Sequence, residues 1–158
     1  MLQDAPMFSY IPAKDVARAR RFYEQKLGFK PRQEVAGGVV YEFGDHTACF
    51  LYPTPNAGTS QASQAFWQVS DVEREVAELK ARGVEFEDYD IPGEKSPSGV
   101  VTARGAKAAW FKDSEGNILA IIQNAWERER FCLARLAAPP VEGPALTSSA
   151  KALTATSP

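Results

Sequence analysis

Few side chains in this sequence are suited to acid–base, metal or nucleophilic chemistry, and they are scattered along the chain. The one histidine, His46, stands in the turn-forming run Gly-Asp-His-Thr. It is either a solvated turn residue or a general base. A single histidine cannot make an iron site of two histidines and one carboxylate, and any nucleophilic triad would depend on His46. Cys49 and Cys132 are isolated thiols, which is not a disulfide framework.

The remaining candidates for chemistry are the carboxylate of Glu42 and an acidic stretch in the second half of the chain. Glu42 lies in the strand-like run "GGVVYEFG". An acid there is a candidate general base for a metal-independent lyase or isomerase, although an exposed strand face explains it equally well. The acidic stretch "EFEDYDIPGE", 85–94, either attracts a cationic ligand or forms a solvated strand edge.

The elements that must position these residues repeat along the chain. Each half has a short strand, an Asp (Asp15, Asp71), a helical segment, and a Gly (Gly28, Gly83) before the next strand. The Asp residues suit helix N-caps and the Gly residues helix C-caps. Apolar residues recur at helical spacing between them, which predicts helices near 15–27 and 71–82.

Three strand candidates follow each helix. In the first half they lie at 29–34, 37–43 and 47–53, and in the second half at 84–89, 106–112 and 117–123. The Gly-, Pro- and Ser-containing stretch 90–105 is interpreted as a long loop that could cover a binding site. The unit is therefore βαβββ, used twice.

The domain is expected to span residues 1–136. Its modules lie at about 7–55 and about 62–124, and a short amphipathic helix follows at about 125–136. The segment 137–158 is rich in Pro, Ala, Ser and Thr and is predicted to be disordered, because it offers too little apolar surface to offset its ordering entropy.

Composition narrows the partners of this 158-residue chain. It is 44% hydrophobic and 24% charged with a formal net charge of −2, so we expect no nucleic-acid partner. No apolar run reaches the length of a membrane span, and we expect no membrane partner. The first ten residues lack the basic start and apolar core of a signal peptide, so a cytoplasmic location is expected.

The sequence resembles the vicinal oxygen chelate superfamily, which includes glyoxalase I, bleomycin-resistance proteins and extradiol dioxygenases. The resemblance covers about residues 8–123 and rests on "FYEQKLGF", "DVEREVAELKARGVEF" and "AAWFKDSEGNILAII". "LYPTPNAGTSQA" is similar to a subgroup known only as glyoxalase-like. The resemblance implies an α+β fold in which two βαβββ modules form a curved mixed sheet that closes a cup around a small ligand.

The resemblance also implies four strand positions at which the enzymes hold a metal ion, commonly with His, Glu or Gln. Seven residues before each helix-capping Asp stand Phe8 and Gln64, and the position four residues after the Gly of the Asp-x-x-Gly-Asn turn is Ala120. The strand that ends the first half, 47–55, contains no acid, histidine or amide. One amide is a weak ligand set for a divalent cation, so we expect no metal and no other cofactor.

Strand alternation places a set of apolar and amide side chains on the faces that carry these positions. The candidate ligand-binding residues are Phe8, Tyr10, Gln64, Phe66, Gln68 and Ala120. They suit a flat or partly apolar molecule oriented by a few polar groups, although the aromatics could instead fill a closed core. The pattern leaves open which way Tyr41, Glu42, Tyr52 and Trp110 point.

Two functions remain possible. The first is metal-independent capture of an aromatic or partly apolar organic molecule. The second is a glyoxalase-like lyase or isomerase, or a dioxygenase, acting on a small organic substrate. Exposed sheet edges favour a homodimer in either case.

Overall fold

The computed structural model describes residues 2–5, 7–35 and 37–124. The helix predicted over 125–136 and the disordered tail predicted over 137–158 lie outside these residues. No helix in the described ranges is long and apolar enough to cross a membrane.

The first module is a four-stranded sheet with one helix. Its elements are β1 (Ser9–Ala13), α1 (Val16–Arg21), a π-helical turn (Phe22–Lys26), β2 (Pro31–Val35), β3 (Gly38–Glu42) and β4 (Ala48–Pro53). The strand order is β1-β4-β3-β2, with β1 and β4 parallel and the other pairs antiparallel. Two short 3-10 segments, Leu2–Asp4 and Gly44–His46, precede β1 and join β3 to β4.

The second module repeats this arrangement with extra strands. Its elements are β5 (Ala65–Gln68), α2 (Val72–Ala81), β6 (Phe86–Glu87), β7 (Glu94–Lys95), β8 (Val101–Ala103), β9 (Ala106–Lys112) and β10 (Ile118–Asn124). The order is β5-β10-β9-β8-β7, and β6 pairs with the opposite end of β9 from β8. As in the first module, the first and last strands, β5 and β10, are parallel. The α+β fold of two βαβββ modules is therefore confirmed.

The helices begin and end where their caps predicted. The Asp15 and Asp71 carboxylates accept hydrogen bonds from the backbone N–H groups three residues on, at 2.9 and 3.2 Å. Gly28 and Gly83 follow the helices with φ of +76° and +79°, a left-handed conformation that favours glycine. The first predicted helix differs in its second half, which is the wider π-helical turn.

The prediction of one long loop over 90–105 was wrong. The segment contains β7 and β8, and β8 turns directly into β9 through Arg104 and Gly105, whose φ values of +50° and +80° suit a two-residue hairpin. The Gly, Pro and Ser residues before β8 are typical of loops, and β8 itself has only three residues, so the sequence pattern did not indicate a strand. Because β8 occupies half of the edge of β9, the strand predicted over 84–89 pairs only as Phe86–Glu87.

One apolar core is shared by the two modules. Strand alternation places Ile11, Leu119 and Ile121 in it, and each is 4% exposed or less. The rings of Phe22 and Phe111 stack across the modules with centroids 6.5 Å apart. The opposite faces of the two sheets, called here the outer faces, are turned away from this core.

Candidate functional site

The outer face of the first sheet is a group of aromatic rings. Tyr10 pairs with Phe50 in the strand register and its ring meets the Phe50 and Tyr52 rings edge to face, at centroid distances of 5.7 and 5.0 Å. Tyr10 is 62% exposed, and Phe8, just before β1, is 52% exposed. These rings cover little of one another, so the face offers a large apolar surface to solvent.

The outer face of the second sheet has an exposed edge and a covered centre. Phe66, Ala120 and Trp110 stand side by side on β5, β10 and β9. Phe66 is 59% exposed, whereas Ala120 is only 2% exposed. Gln64 directly precedes β5 and is half-buried, and Gln68 is the last residue of β5 and is exposed.

Tyr89 adds a residue to this face that the sequence pattern did not single out. Its ring meets the Trp110 ring edge to face, with centroids 6.2 Å apart. Within the described part of the chain, its hydroxyl oxygen is buried and has no hydrogen-bond partner. The signal available in the sequence was an amphipathic aromatic residue inside the acidic stretch 85–94.

The four side chains whose direction was open divide between the two sides of the sheets. Tyr41 is buried on the core side, where its hydroxyl donates to Glu24 at 3.1 Å. Burial, together with the Glu24 carboxylate, raises the pKa of the Tyr41 phenol. Glu42, Tyr52 and Trp110 lie on the outer faces.

The structure brings the two acid–base candidates together at one end of the first outer face. The Glu42 carboxylate lies 3.5 Å from Nδ1 of His46 and 3.1 Å from Nε of Arg32. The side chain of His46 is 97% exposed and that of Glu42 is 39% exposed. At 3.5 Å the two groups are farther apart than the roughly 2.6–3.2 Å of direct proton transfer, and both are open to water.

The side chains at the four metal positions do not fit a metal site. Phe8 and Ala120 have no donor atom, Gln64 supplies one amide oxygen, and the outward residues of β4 are aromatic. Among the described residues there is no group of three His, Cys, Asp or Glu side chains that could hold a metal ion. A divalent cation requires several hard oxygen or nitrogen ligands to replace its hydration shell.

The polar residues of the Asp-x-x-Gly-Asn turn are structural. Asp113 accepts hydrogen bonds from the Tyr23 hydroxyl at 2.5 Å and from the Asn117 amide at 2.7 Å. Asn117 also donates to the Pro12 carbonyl oxygen at 2.7 Å and accepts from the Gly58 N–H at 3.0 Å. Asp113 and Asn117 are 6% and 2% exposed, so the turn joins the two modules rather than facing a ligand.

Glu115 in the same turn holds the start of the first helix. Its carboxylate accepts from the N–H groups of Lys14 and Asp15 at 2.9 and 3.0 Å, and from Nε and Nη2 of Arg18 at 2.7 and 2.9 Å. Burial by itself would raise the pKa of Glu115, but these hydrogen bonds outweigh it and hold the pKa below its ordinary value.

A groove of about 470 Å³ lies between α1 with its π-helical turn and the second module. Of its four cations, Arg18 is paired with Glu115 and Lys112 with Glu87 at 3.1 Å, whereas Lys26 donates to the neutral Gly83 carbonyl oxygen at 2.7 Å and Arg21 also lines the groove. The lining of the groove is mostly charged or polar, so for an apolar ligand the outer faces are the stronger candidate site.

Comparison with known proteins agrees with this architecture. Residues 6–121 match the model of the Glyoxalase/Bleomycin resistance protein/Dioxygenase superfamily. No curated protein matches the chain.

Three similar solved structures illustrate the range of the fold. TnmS3, an antibiotic binding protein from a Streptomyces species, is 22% identical, with 79% of this chain and 99% of that chain covered and a TM-score of 0.57. The fosfomycin resistance protein FosX from Listeria monocytogenes is 12% identical, with 78% and 96% covered and a TM-score of 0.58. A lactoylglutathione lyase from Agrobacterium tumefaciens is 18% identical, with 76% and 93% covered and a TM-score of 0.52. At these identities the likeness shows the fold alone.

Proposed function

The chain belongs to the Glyoxalase/Bleomycin resistance protein/Dioxygenase superfamily, and we propose that it captures an aromatic or partly apolar organic molecule without a metal ion. The observation that carries the proposal is the exposure of Phe8, Tyr10 and Phe66, at 52, 62 and 59%. Large rings left open on one side of a sheet are typical of a surface that another molecule covers.

The polar groups around these rings suit recognition better than catalysis. Gln64 and Gln68 each offer an amide that can donate and accept, which is enough to orient a ligand on an apolar surface. The side chains at the metal positions lack the donors that the family's metal chemistry requires. Antibiotic binding by TnmS3 and fosfomycin resistance by FosX, as their names state, are examples of small-molecule functions on this fold.

A second copy of the chain is proposed to complete the site. The strands that carry the exposed rings, β1 and β5, are edge strands, and among the described residues each is paired on one side only. Unpaired edges beside exposed apolar rings favour a symmetric dimer, which would bring a first-sheet face of one copy towards a second-sheet face of the other. Light scattering is measured at a protein concentration about ten times that of the ligand-binding measurements. A monomer at that concentration would contradict this arrangement.

Capture by the outer faces is tested with a fluorescent apolar probe, 8-anilinonaphthalene-1-sulfonate. We expect Phe66→Ala to weaken probe binding about 5–50-fold, corresponding to a loss of about 1–2.5 kcal/mol for one buried aromatic contact. Because Phe66 is 59% exposed, the same substitution is expected to change the free energy of unfolding little. Leu2→Ala is the matched control, since Leu2 is 92% exposed and lies outside both sheets.

Metal analysis decides between capture and metal-dependent chemistry. We expect the purified protein to contain no stoichiometric nickel, zinc or iron, and EDTA to change neither its melting temperature nor probe binding. Stoichiometric metal together with an EDTA-sensitive lyase or ring-cleaving activity would replace the proposal with the enzyme function.

A metal-independent lyase or isomerase is the second candidate, and the contact between Glu42 and His46 favours it. In that function the Glu42 carboxylate would remove a proton from a substrate on the first outer face, with His46 beside it. Glu42→Gln keeps the shape of the side chain and removes the base. A turnover with a candidate substrate that is lost in Glu42→Gln, while probe binding is unchanged, would support the enzyme over the binding protein.

A further inference from the structure

The hydroxyl of Tyr89 has an unmet hydrogen-bonding capacity. It is the buried side-chain polar atom that lacks a partner within residues 2–5, 7–35 and 37–124. A phenol can donate one hydrogen bond and accept others, and burying it without any costs free energy that is recovered only when a partner arrives. Such a group in a folded protein therefore points to a partner beyond the described residues, such as a bound ligand.

The hydroxyl belongs to the outer face on which ligand capture is proposed. The Tyr89 ring contacts Trp110 edge to face, and Trp110 stands directly opposite Ala120, which in turn stands beside Phe66. The row therefore begins with the exposed Phe66 ring and continues through the small, buried side chain of Ala120 to the Trp110 ring. It ends at the Tyr89 ring, which carries the buried hydroxyl.

The segment that carries Tyr89 is anchored before any ligand binds. The Tyr89 carbonyl oxygen accepts hydrogen bonds from Nζ of Lys95 at 3.1 Å and from the Ile91 N–H at 3.0 Å. Farther along, Ser98 donates to Glu73 of α2 and its carbonyl oxygen accepts from Lys80 at 2.7 Å. The pairing of Glu87 with Trp110 in β6 and β9 holds the chain two residues before Tyr89, so the segment is anchored at both ends and little ordering entropy is lost on binding.

We propose that the Tyr89 hydroxyl donates the hydrogen bond that orients the ligand, and that the ligand is a planar aromatic molecule with an uncharged oxygen acceptor such as a ketone. This proposal rests on the proposed function. The aromatic rings of the outer face favour a ligand with a flat, apolar ring system. The Tyr89 hydroxyl favours a ligand that also carries a hydrogen-bond acceptor. Glu87 and Asp88 are paired with Lys112 and Lys95, and Asp90 adds a further negative charge that disfavours an anionic acceptor such as a carboxylate.

The test compares two probes that differ by one oxygen. Dissociation constants for 2-acetylnaphthalene and 2-ethylnaphthalene are measured by equilibrium dialysis with the full chain and with Tyr89→Phe. The wild type is expected to bind the ketone about 5–10-fold more tightly, and Tyr89→Phe to lose that preference while its affinity for 2-ethylnaphthalene is unchanged. In addition, 2-naphthoate is expected to bind less tightly than the ketone.

Thermal unfolding without ligand separates this role from a structural one. Since the hydroxyl has no partner to lose, Tyr89→Phe is expected to leave the melting temperature unchanged or raise it. Tyr41→Phe is the matched control, because the Tyr41 hydroxyl is bound to Glu24; it is expected to lower the melting temperature and leave the ketone preference intact.

Two results would overturn the assignment. One is a ketone preference that survives Tyr89→Phe; the other is a fall in melting temperature in Tyr89→Phe without ligand, which would mean that the hydroxyl is satisfied within the fold. If the wild type binds neither naphthalene, aromatic capture itself fails, and the role of Tyr89 fails with it.

Discussion

Replacing Glu115 tests whether one buried carboxylate holds the two modules together. Its oxygens accept from two backbone N–H groups about one hundred residues away and from Arg18, at 2.7–3.0 Å. Hydrogen bonds to a charged acceptor contribute about 1.5–3 kcal/mol each. Glu115→Ala removes the carboxylate that accepts from both backbone N–H groups. The ion pair adds less, because the Arg18 side chain is 47% exposed and water screens its charge, although the Glu115 carboxylate is buried.

The expected order of destabilisation follows from these magnitudes. Glu115→Ala should lower the free energy of unfolding by about 3–6 kcal/mol, and Glu115→Gln by about 2 kcal/mol, because the amide keeps one acceptor oxygen but turns its NH₂ group towards donors. Arg18→Ala should cost less than either substitution, because its guanidinium is partly exposed and both backbone donors keep their carboxylate. Urea unfolding followed by tryptophan fluorescence measures all three, and a chain of this length shifts its melting temperature by roughly 2–4 °C per kcal/mol.

The pH dependence gives a second measurement of the same contact. The pKa of Glu115 is lower in the folded protein than its ordinary value of 4.5, so its stabilisation is fully present above that pH and is lost as the pH falls towards the folded pKa. The stability difference between wild type and Glu115→Gln should therefore shrink below about pH 4.5. A difference that is constant from pH 7 to pH 3, or an equal cost for Arg18→Ala and Glu115→Gln, would refute this account.

Three further predictions concern the core and its turns. Tyr23→Phe should cost about 2 kcal/mol in urea unfolding, because a buried carboxylate loses its 2.5 Å donor. In a Cys132→Ser background, the Cys49 thiol should resist alkylation at pH 8 until urea is added, since burial raises its pKa to about 12. Gly58→Ala should cost about 2–4 kcal/mol or prevent folding, because a Cβ there would lie 2.2 Å from the Glu115 carbonyl oxygen at a φ of +68°.

Local patterns predicted the helices well because the physics that sets their ends is local. A carboxylate three residues before a free N–H group and a glycine with positive φ act within one turn of the chain, so Asp15, Asp71, Gly28 and Gly83 could be assigned without knowing the fold. The hairpin through Arg104 and Gly105 was missed because its first strand is only three residues long. Such a strand has too little alternation to be distinguished from a loop.

The direction of side chains on the middle strands could not be predicted, because period-2 alternation fixes only relative facing. Tyr41 and Glu42 are neighbours and must point to opposite sides, yet nothing local says which one enters the core. Pairing with β4 decides this, and it places Tyr41 against Glu24 and Glu42 on the outer face beside His46.

By itself, the sequence determined the repeated βαβββ units, the helix caps, the shortage of metal ligands and the aromatic character of the candidate face. All of these depend on residue type and on neighbours within a few positions. Only the tertiary structure decided that Glu115 caps a helix from the other module and that Tyr89 brings onto the outer face a hydroxyl with no partner among the described residues. Both depend on which distant segments meet, and such contacts are set by the packing of the whole core rather than by any local pattern.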